Sequence, residues 1–261
     1  MKVVLITGAA GGLGRALARS WFDDGHALVL ADLDESRLEA LAREFDAPER
    51  LLTRVLDVTD RGAIAGLLEA TRKRFGRLDI LVNNAGITHR SPAHRTDAEV
   101  FSRVMAVDWQ APVELALAGL DLLRESRGLI VNIGSMAGWM PLPGRAAYGA
   151  AKSALTQFFE VLRLELADDG VGVLMVYPTF LETDIEAHAL GHDGLPARHA
   201  QSRIGRQRSA EWMAARVARA AAKRQRWLFP NRLAWIGSLV WRVTPGLYLK
   251  LIRRKFEGEL R

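Results

Sequence analysis

Tyr148 and Lys152 stand four residues apart in GRAAYGAAKSAL, residues 144–155, a stretch otherwise dominated by Ala, Gly and Ser. At about 3.6 residues per turn, that spacing puts both side chains on one face of a helix, one turn apart. One reading is an exposed Tyr–Lys pair on a surface helix, which helical spacing by itself favours. The other is chemical. A phenol ordinarily ionises near pH 10, and a neighbouring ammonium stabilises the phenolate and lowers that value. A phenol tuned in this way gives or takes a proton near neutral pH, as interconversion of an alcohol and a carbonyl requires.

Hydride chemistry of that kind needs a carrier, and the N-terminus offers a place for one. In VVLITGAAGGLGRAL, Gly8, Gly12 and Gly14 form T-G-x-x-x-G-x-G between a strand pattern and a helix pattern. Glycines let the backbone turn sharply and come close to a pyrophosphate, and the helix N-terminus adds unpaired N–H groups and the positive end of its dipole. Asp32 ends the next apolar run, 18 residues after Gly14. A carboxylate there accepts hydrogen bonds from the adenosine ribose hydroxyls and repels a 2′-phosphate, so NAD is favoured over NADP. Arg15, just past the loop, keeps NADP in play. The competing reading of Asp32 is a helix cap, although Asp34, before ESRL, is the better cap.

The elements that must position these groups are readable as alternation. The runs KVVLIT, ALVLAD, LTRVLDV, LDILVNN, LIVNIGS and VGVLMVYP are continuous rather than alternating, which suits strands buried on both faces. Helical patterns lie between them, several ending in Gly. Together they predict an α/β fold with a parallel sheet covered on both sides and right-handed crossovers. At 261 residues and 49% hydrophobic content, one domain suffices. Zero Cys excludes disulfides and thiolate metal sites and fits a reducing, cytoplasmic setting. A strand pattern beginning at residue 3 leaves no room for a signal peptide.

With these motifs in order, the chain resembles the short-chain dehydrogenase/reductase family. The resemblance rests on TGAAGGLG (7–14), LDV (56–58), NNAG (83–86), IGS ending at Ser135, and YGAAK (148–152), and covers about residues 1–180. It implies a Rossmann-type doubly wound sheet of seven parallel strands, a nicotinamide cofactor and a Ser135–Tyr148–Lys152 catalytic group. It further implies cofactor contacts from Thr7, Gly8, Gly12, Leu13, Gly14, Asp32, Asp57, Val58, Asn84, Ala85, Gly86, Tyr148, Lys152, Pro178 and Thr183. Asp57 would meet the adenine amino group, Lys152 the nicotinamide ribose, and Ser135 the substrate oxygen. Members of the family carry an asparagine where this chain has Asp108; its backbone carbonyl helps hold a water that links the lysine to solvent. Aspartate keeps that carbonyl and adds a charge. Thr179 stands where a glycine is common.

After Pro178 the pattern loosens. Residues 179–208 predict a long mobile loop with room for a short helix, residues 209–225 a helix, and RWLFP (226–230) a last strand. His188, His192 and His199 have no metal-ligand spacing, so no metal site is expected. Trp139, Met140, Phe180 and Leu181 are either core or the walls of an apolar substrate pocket.

The last segment, 231–261, is a basic, aromatic extension to the 1–230 domain. From Lys223 onward there are ten Lys/Arg against two Glu, a net of +8, whereas the rest of the chain carries −2. Its longest apolar run, LAWIGSLVW, is nine residues, far short of the ~20 needed to span a bilayer. Pro245 and Gly246 should divide it into two short helices. Such helices lie in a membrane interface, here an anionic one, or pack on the fold itself or in a subunit interface of a homodimer or homotetramer. No motif suggests nucleic acid. The sequence therefore predicts an NAD-dependent oxidoreductase acting on an apolar secondary alcohol or ketone. The alternatives are an NAD-binding scaffold or sensor with weak turnover, and a peripheral membrane enzyme acting on a lipid-like substrate.

Overall fold

Each continuous apolar run becomes a strand of one parallel sheet. The computed structural model describes residues 1–178, 180–183, 185, 187–197, 207–229 and 231–259. The strands are β1 (Val3–Thr7), β2 (Ala27–Asp32), β3 (Leu51–Val55), β4 (Ile80–Asn83), β5 (Leu129–Ile133), β6 (Gly172–Val176) and β7 (Trp227–Leu228). Their order is β3-β2-β1-β4-β5-β6-β7, with every pairing parallel. This is the predicted doubly wound sheet. It reverses direction between β1 and β4, the kind of switch point at which open α/β sheets bind ligands. The two edge strands depart from full burial: Trp227 of β7 is exposed, and so is part of β3.

Two layers of helices bury the sheet. On one face lie α1 (Gly12–Asp23), α2 (Glu35–Phe45) and α8 (Ala210–Ala222), contributing Leu17, Trp21, Leu41, Met213 and Val217 to the core. On the other lie α3 (Arg61–Phe75), α5 (Ala111–Ala118), α6 (Leu120–Ser126) and α7 (Ala146–Glu165), contributing Leu67, Leu115, Leu123 and Phe159. Asp34 caps α2 by accepting from the Arg37 N–H, as its position before ESRL predicts.

The helix carrying Asp108 is not a plain α-helix. α4 (Ala98–Met105) runs into a π-helical turn, Ala106–Gln110, before continuing as α5. An inserted π turn re-aims the side chains it carries and recurs at functional sites. Nothing in the residue pattern announces it.

Residues 207–208 run beside the segment that follows β6, through an isolated bridge between Leu181 and Arg208. Thr179 and His199 lie outside the described residues. The C-terminal extension forms α9 (Arg232–Val243) and α10 (Pro245–Lys255), with Pro245 at the first position of the second helix, which its fixed backbone angle suits. These helices fold back over the body. Tyr248, Ile252 and Phe256 pack against Met140, Leu142 and Phe180, and the Tyr248 hydroxyl donates to the Pro141 carbonyl at 2.9 Å.

Candidate active site

All the strands that carry motifs end at the same edge of the sheet. Gly8 follows β1, Asp32 closes β2, Asp57 follows β3, Asn84–Gly86 follow β4, Ser135 follows β5 and Pro178 follows β6. Above that edge opens a cavity of about 1050 Å³. Of the residues singled out in the sequence, Gly8, Gly12, Leu13, Gly14, Asp32, Asp57, Val58, Asn84, Ala85, Gly86, Ser135, Tyr148, Lys152, Pro178 and Thr183 line it. Thr7 and Asp108 do not.

The glycine loop is shaped by contacts that only glycine permits. Gly8 sits at φ +61°, in the left-handed region. A Cβ on Gly14 would collide with the Gly8 carbonyl oxygen and lie 2.9 Å from Asn84 Nδ2. Asn84 locks the loop: its amide nitrogen donates to the carbonyls of Thr7 and Gly8, both at 3.0 Å. The buried Thr7 hydroxyl accepts from the Asn84 and Ala85 N–H groups and donates to Val82 O. Thr7 and Asn84 thus hold the cradle together from beneath, and Asn84 also forms part of its wall.

Asp32 is likewise held by backbone. Its Oδ2 accepts from Ala10 N at 2.8 Å and its Oδ1 from Asp34 N at 3.0 Å. Arg15 turns away to an ion pair with Glu44 on α2. A basic residue that the sequence did not single out, Arg37, lies on the wall beside Asp34 at 3.4 Å. Its place one turn into α2 was the available signal. Asp57 accepts from the hydroxyl and N–H of Thr59 at 2.7 and 2.9 Å, and those bonds hold its carboxyl below the usual carboxylate range.

Ser135 caps the short turn 136–138 by accepting from Ala137 N at 3.1 Å, which leaves its O–H able to donate. Tyr148 and Lys152 are on the first two turns of α7, as their spacing predicts. Lys152 Nζ lies 5.7 Å from the centre of the Tyr148 ring. The pair is not an exposed surface pair: Lys152 is buried, donates to the Ile133 carbonyl at 3.2 Å, and stands 3.5 Å from Asp108 Oδ2.

Asp108 itself is fully buried behind the cavity wall. Its Oδ1 accepts from Ile87 N at 2.8 Å. Burial pushes its carboxyl above the usual range, opposed by the Lys152 charge and the Ile87 N–H. The π turn aims this side chain at the lysine.

At the far end the walls are apolar, and they divide the aromatic stretch of the sequence. Met140, Leu142, Phe180 and Leu181 line the cavity. Trp139 does not; it is core, edge-on to Tyr177 and Phe229 at 5.1 and 5.4 Å. Sequence reasoning missed that α9 and α10 complete this end with Ile236, Val240, Tyr248, Ile252 and Phe256. The apolar period of the extension was visible, but not where it would dock. A buried ion pair fastens it: Glu259 Oε2 meets Arg145 Nη1 at 2.7 Å, just before α7 begins. His188 reaches the cavity, and His192 is an exposed neighbour of Asp193. Among the described residues no group of His, Cys, Asp or Glu is arranged to hold a metal ion.

Comparison with known proteins agrees with this geometry. The chain is 32% identical over 270 residues to dehydrogenase/reductase SDR family member 7B of Bos taurus, covering 98% of this chain and 82% of that one. A short-chain dehydrogenase from Streptomyces avermitilis superposes with a TM-score of 0.80 at 27% identity over 99% of both chains. A 3-ketoacyl-(acyl-carrier-protein) reductase from Brucella melitensis, solved with NADH, does so with 0.73 at 26% identity, covering 84% of this chain and 90% of that one. The family model for short chain dehydrogenases matches residues 2–192, and the chain belongs to that family of oxidoreductases.

Proposed function

We propose that the chain is an NAD(H)-dependent oxidoreductase interconverting an apolar secondary alcohol and its ketone, with Tyr148 as the acid and base. The observation that carries this reading is that Ser135, Tyr148 and Lys152 line one cavity together with the glycine loop and the apolar residues Met140, Leu142 and Phe180. A dinucleotide fits the cradle: the turn is tight enough that a Cβ at Gly14 would strike the Gly8 carbonyl, which keeps backbone N–H groups at the cavity, and the Asp32 carboxylate is fixed by backbone N–H groups at its rim. When bound, the nicotinamide supplies or accepts the hydride. Tyr148 then gives its hydroxyl proton to the oxygen of a ketone undergoing reduction, or takes the proton of an alcohol undergoing oxidation. Lys152 supports the phenolate by its charge, and Ser135 holds the same substrate oxygen by donating to it. Asp108 is a positioning residue, acting through Lys152.

Support for NAD over NADP comes from Asp32 and from Arg15, which is engaged by Glu44. Arg37 keeps the NADP reading open, because it reaches the cavity wall. The apolar walls at Met140, Leu142, Phe180 and Val240 favour a substrate with little polar surface besides its oxygen. A scaffold with weak turnover draws its support from Asp108. Burial, however, works against a full negative charge on that carboxyl, opposed by the Lys152 ammonium and the Ile87 N–H. Exposed Leu117, Val161 and Leu164 on α5 and α7 support a homo-oligomer, which sedimentation equilibrium would test.

The experiment is a fluorescence titration with NADH and NADPH, followed by a panel of apolar ketones, on wild type and Tyr148→Phe. Expected are tighter NADH binding, ketone-dependent oxidation, and a loss of about 10²–10⁴-fold in kcat in the variant with NADH affinity unchanged. Tighter NADPH binding would overturn the role of Asp32, and full activity in Tyr148→Phe would overturn that of the phenol.

A further inference from the structure

The two C-terminal helices have a second face. Their inner residues line the cavity, while Trp235, Ile236, Leu239 and Val243 of α9 and Leu247, Leu249 and Leu251 of α10 are all exposed, Val243 at 78% and Leu251 at 58%. At about 100° per residue, the four on α9 share an arc of about 100°. On α10, Leu247 and Leu251 lie about 40° apart while Leu249 falls on the other side of the helix, so the four on α9 together with Leu247 and Leu251 make a built face rather than scattered apolar residues. Arg232, Arg242, Lys250, Arg253, Arg254 and Lys255 are exposed on the same two helices. Ile236, Leu251 and Lys255 belong to both sets: they are exposed and they line the cavity. The chamber therefore opens through the apolar, basic face. The Arg145–Glu259 ion pair and the Tyr248–Pro141 hydrogen bond hold that face in place.

The geometry points to an anionic lipid surface as the occupant. Among the described residues no helix is long and apolar enough to cross a membrane, but none needs to. Apolar side chains including a Trp, flanked by long cationic ones, suit helices lying flat in the headgroup layer, with the Lys and Arg heads at the anionic surface. A second copy of this face fits worse. Self-complementary pairing would bring its cations against one another across the interface. Docked this way, the chamber mouth sits against the hydrocarbon, and an apolar alcohol or ketone enters without crossing water. That last step rests on the apolar-substrate reading above; the docking does not.

The test is co-sedimentation of the full chain with vesicles of phosphatidylcholine alone or with about one-third phosphatidylserine, read without any substrate. Binding is expected to the anionic vesicles only, to weaken in about 0.5 M NaCl, and to shift Trp emission to shorter wavelength. V243E/L247E, whose positions line no part of the cavity, should lower the pelleted fraction at least about tenfold. R253E/R254E should abolish the anionic preference. Both variants should keep wild-type NADH affinity and melting temperature. A full chain that stays in the supernatant at low salt overturns the proposal. So does V243E/L247E binding vesicles like wild type, or the same variant instead dissolving a concentration-dependent dimer, which would name a second copy as the occupant. Failure of the catalytic reading would show in turnover and leave the vesicle result untouched.

Discussion

The two ends of the cavity are made of different material. The cofactor end is backbone: glycine carbonyls and N–H groups, pinned by Asn84 and Thr7, whose own hydrogen bonds lie within the loop and adjoining strand ends. The substrate end is side chain: Met140, Leu142, Phe180 and the inner faces of α9 and α10. Backbone geometry tolerates almost no substitution where a Cβ would strike a main-chain atom. A wall of apolar side chains accepts many replacements of similar volume. On the proposed reading, one end therefore fixes the shared cofactor and the other is open to a different substrate.

The largest effect that could sharpen this contrast is at Gly14. Gly14→Ala places a methyl against the Gly8 carbonyl and Asn84. The loop must shift, which costs about 3 kcal/mol and lowers NADH affinity about a hundredfold at the corresponding 1.4 kcal/mol per decade. Isothermal titration of NADH into the purified variant measures it. An unchanged affinity would mean that the loop relaxes freely and that the cofactor end is not fixed by backbone.

The support beneath the two ends differs in the same way. Under the cofactor end the Thr7 and Asn84 hydrogen bonds are made. Beside the substrate end, among the described residues, the buried His89 has no hydrogen-bond partner on either ring nitrogen. Burial and the nearby Arg145 charge push its pKa down to about 4. The unfolded chain takes up that proton at about pH 6.5 while the folded chain does not. Stability is therefore full above about pH 6.5 and falls toward pH 4, with about 2 kcal/mol lost by pH 5. Urea unfolding at pH 7.5 and 5 on wild type and His89→Leu checks it. The variant should lose about 2 kcal/mol less over that interval; equal losses would show that His89 is not held neutral.

The same division explains what the residue order revealed. The glycine loop, Asp32, Asp57, NNAG, Ser135 and the Tyr148–Lys152 pair are tied to strand ends, and strands announce themselves by continuous apolar runs, so parallel order places them at one edge. The fold was legible for that reason, down to the division of the extension at Pro245. The π turn was not, because its residues carry no distinguishing pattern. The direction of Asp108 was hidden with it. Nor was the docking of α9 and α10 over the chamber legible. Their period shows that two faces exist, but the Glu259–Arg145 pair that fastens them to the body spans 114 residues, and no local rule reaches that far. Trp139 and Met140 show the limit at single-residue scale. They are adjacent and apolar, yet one is core and the other wall.

The smallest effect belongs at the substrate end. Val240 on α9 lines the chamber, and Val240→Ala removes two methyl groups from a wall that is not otherwise anchored to the cradle. The lost contact with an apolar ketone is about 1 kcal/mol, which raises KM about fivefold. Both kcat and NADH affinity should stay at wild-type values, because the proposed proton-transfer groups sit after β5 and on α7 and the cradle follows β1 and β4. Steady-state kinetics with one ketone at saturating NADH separates the terms. A fall in kcat matching the rise in KM would mean that α9 positions the reacting oxygen as well as enclosing it, and the division between a backbone-built end and a side-chain-built end would then fail at the point where the two meet.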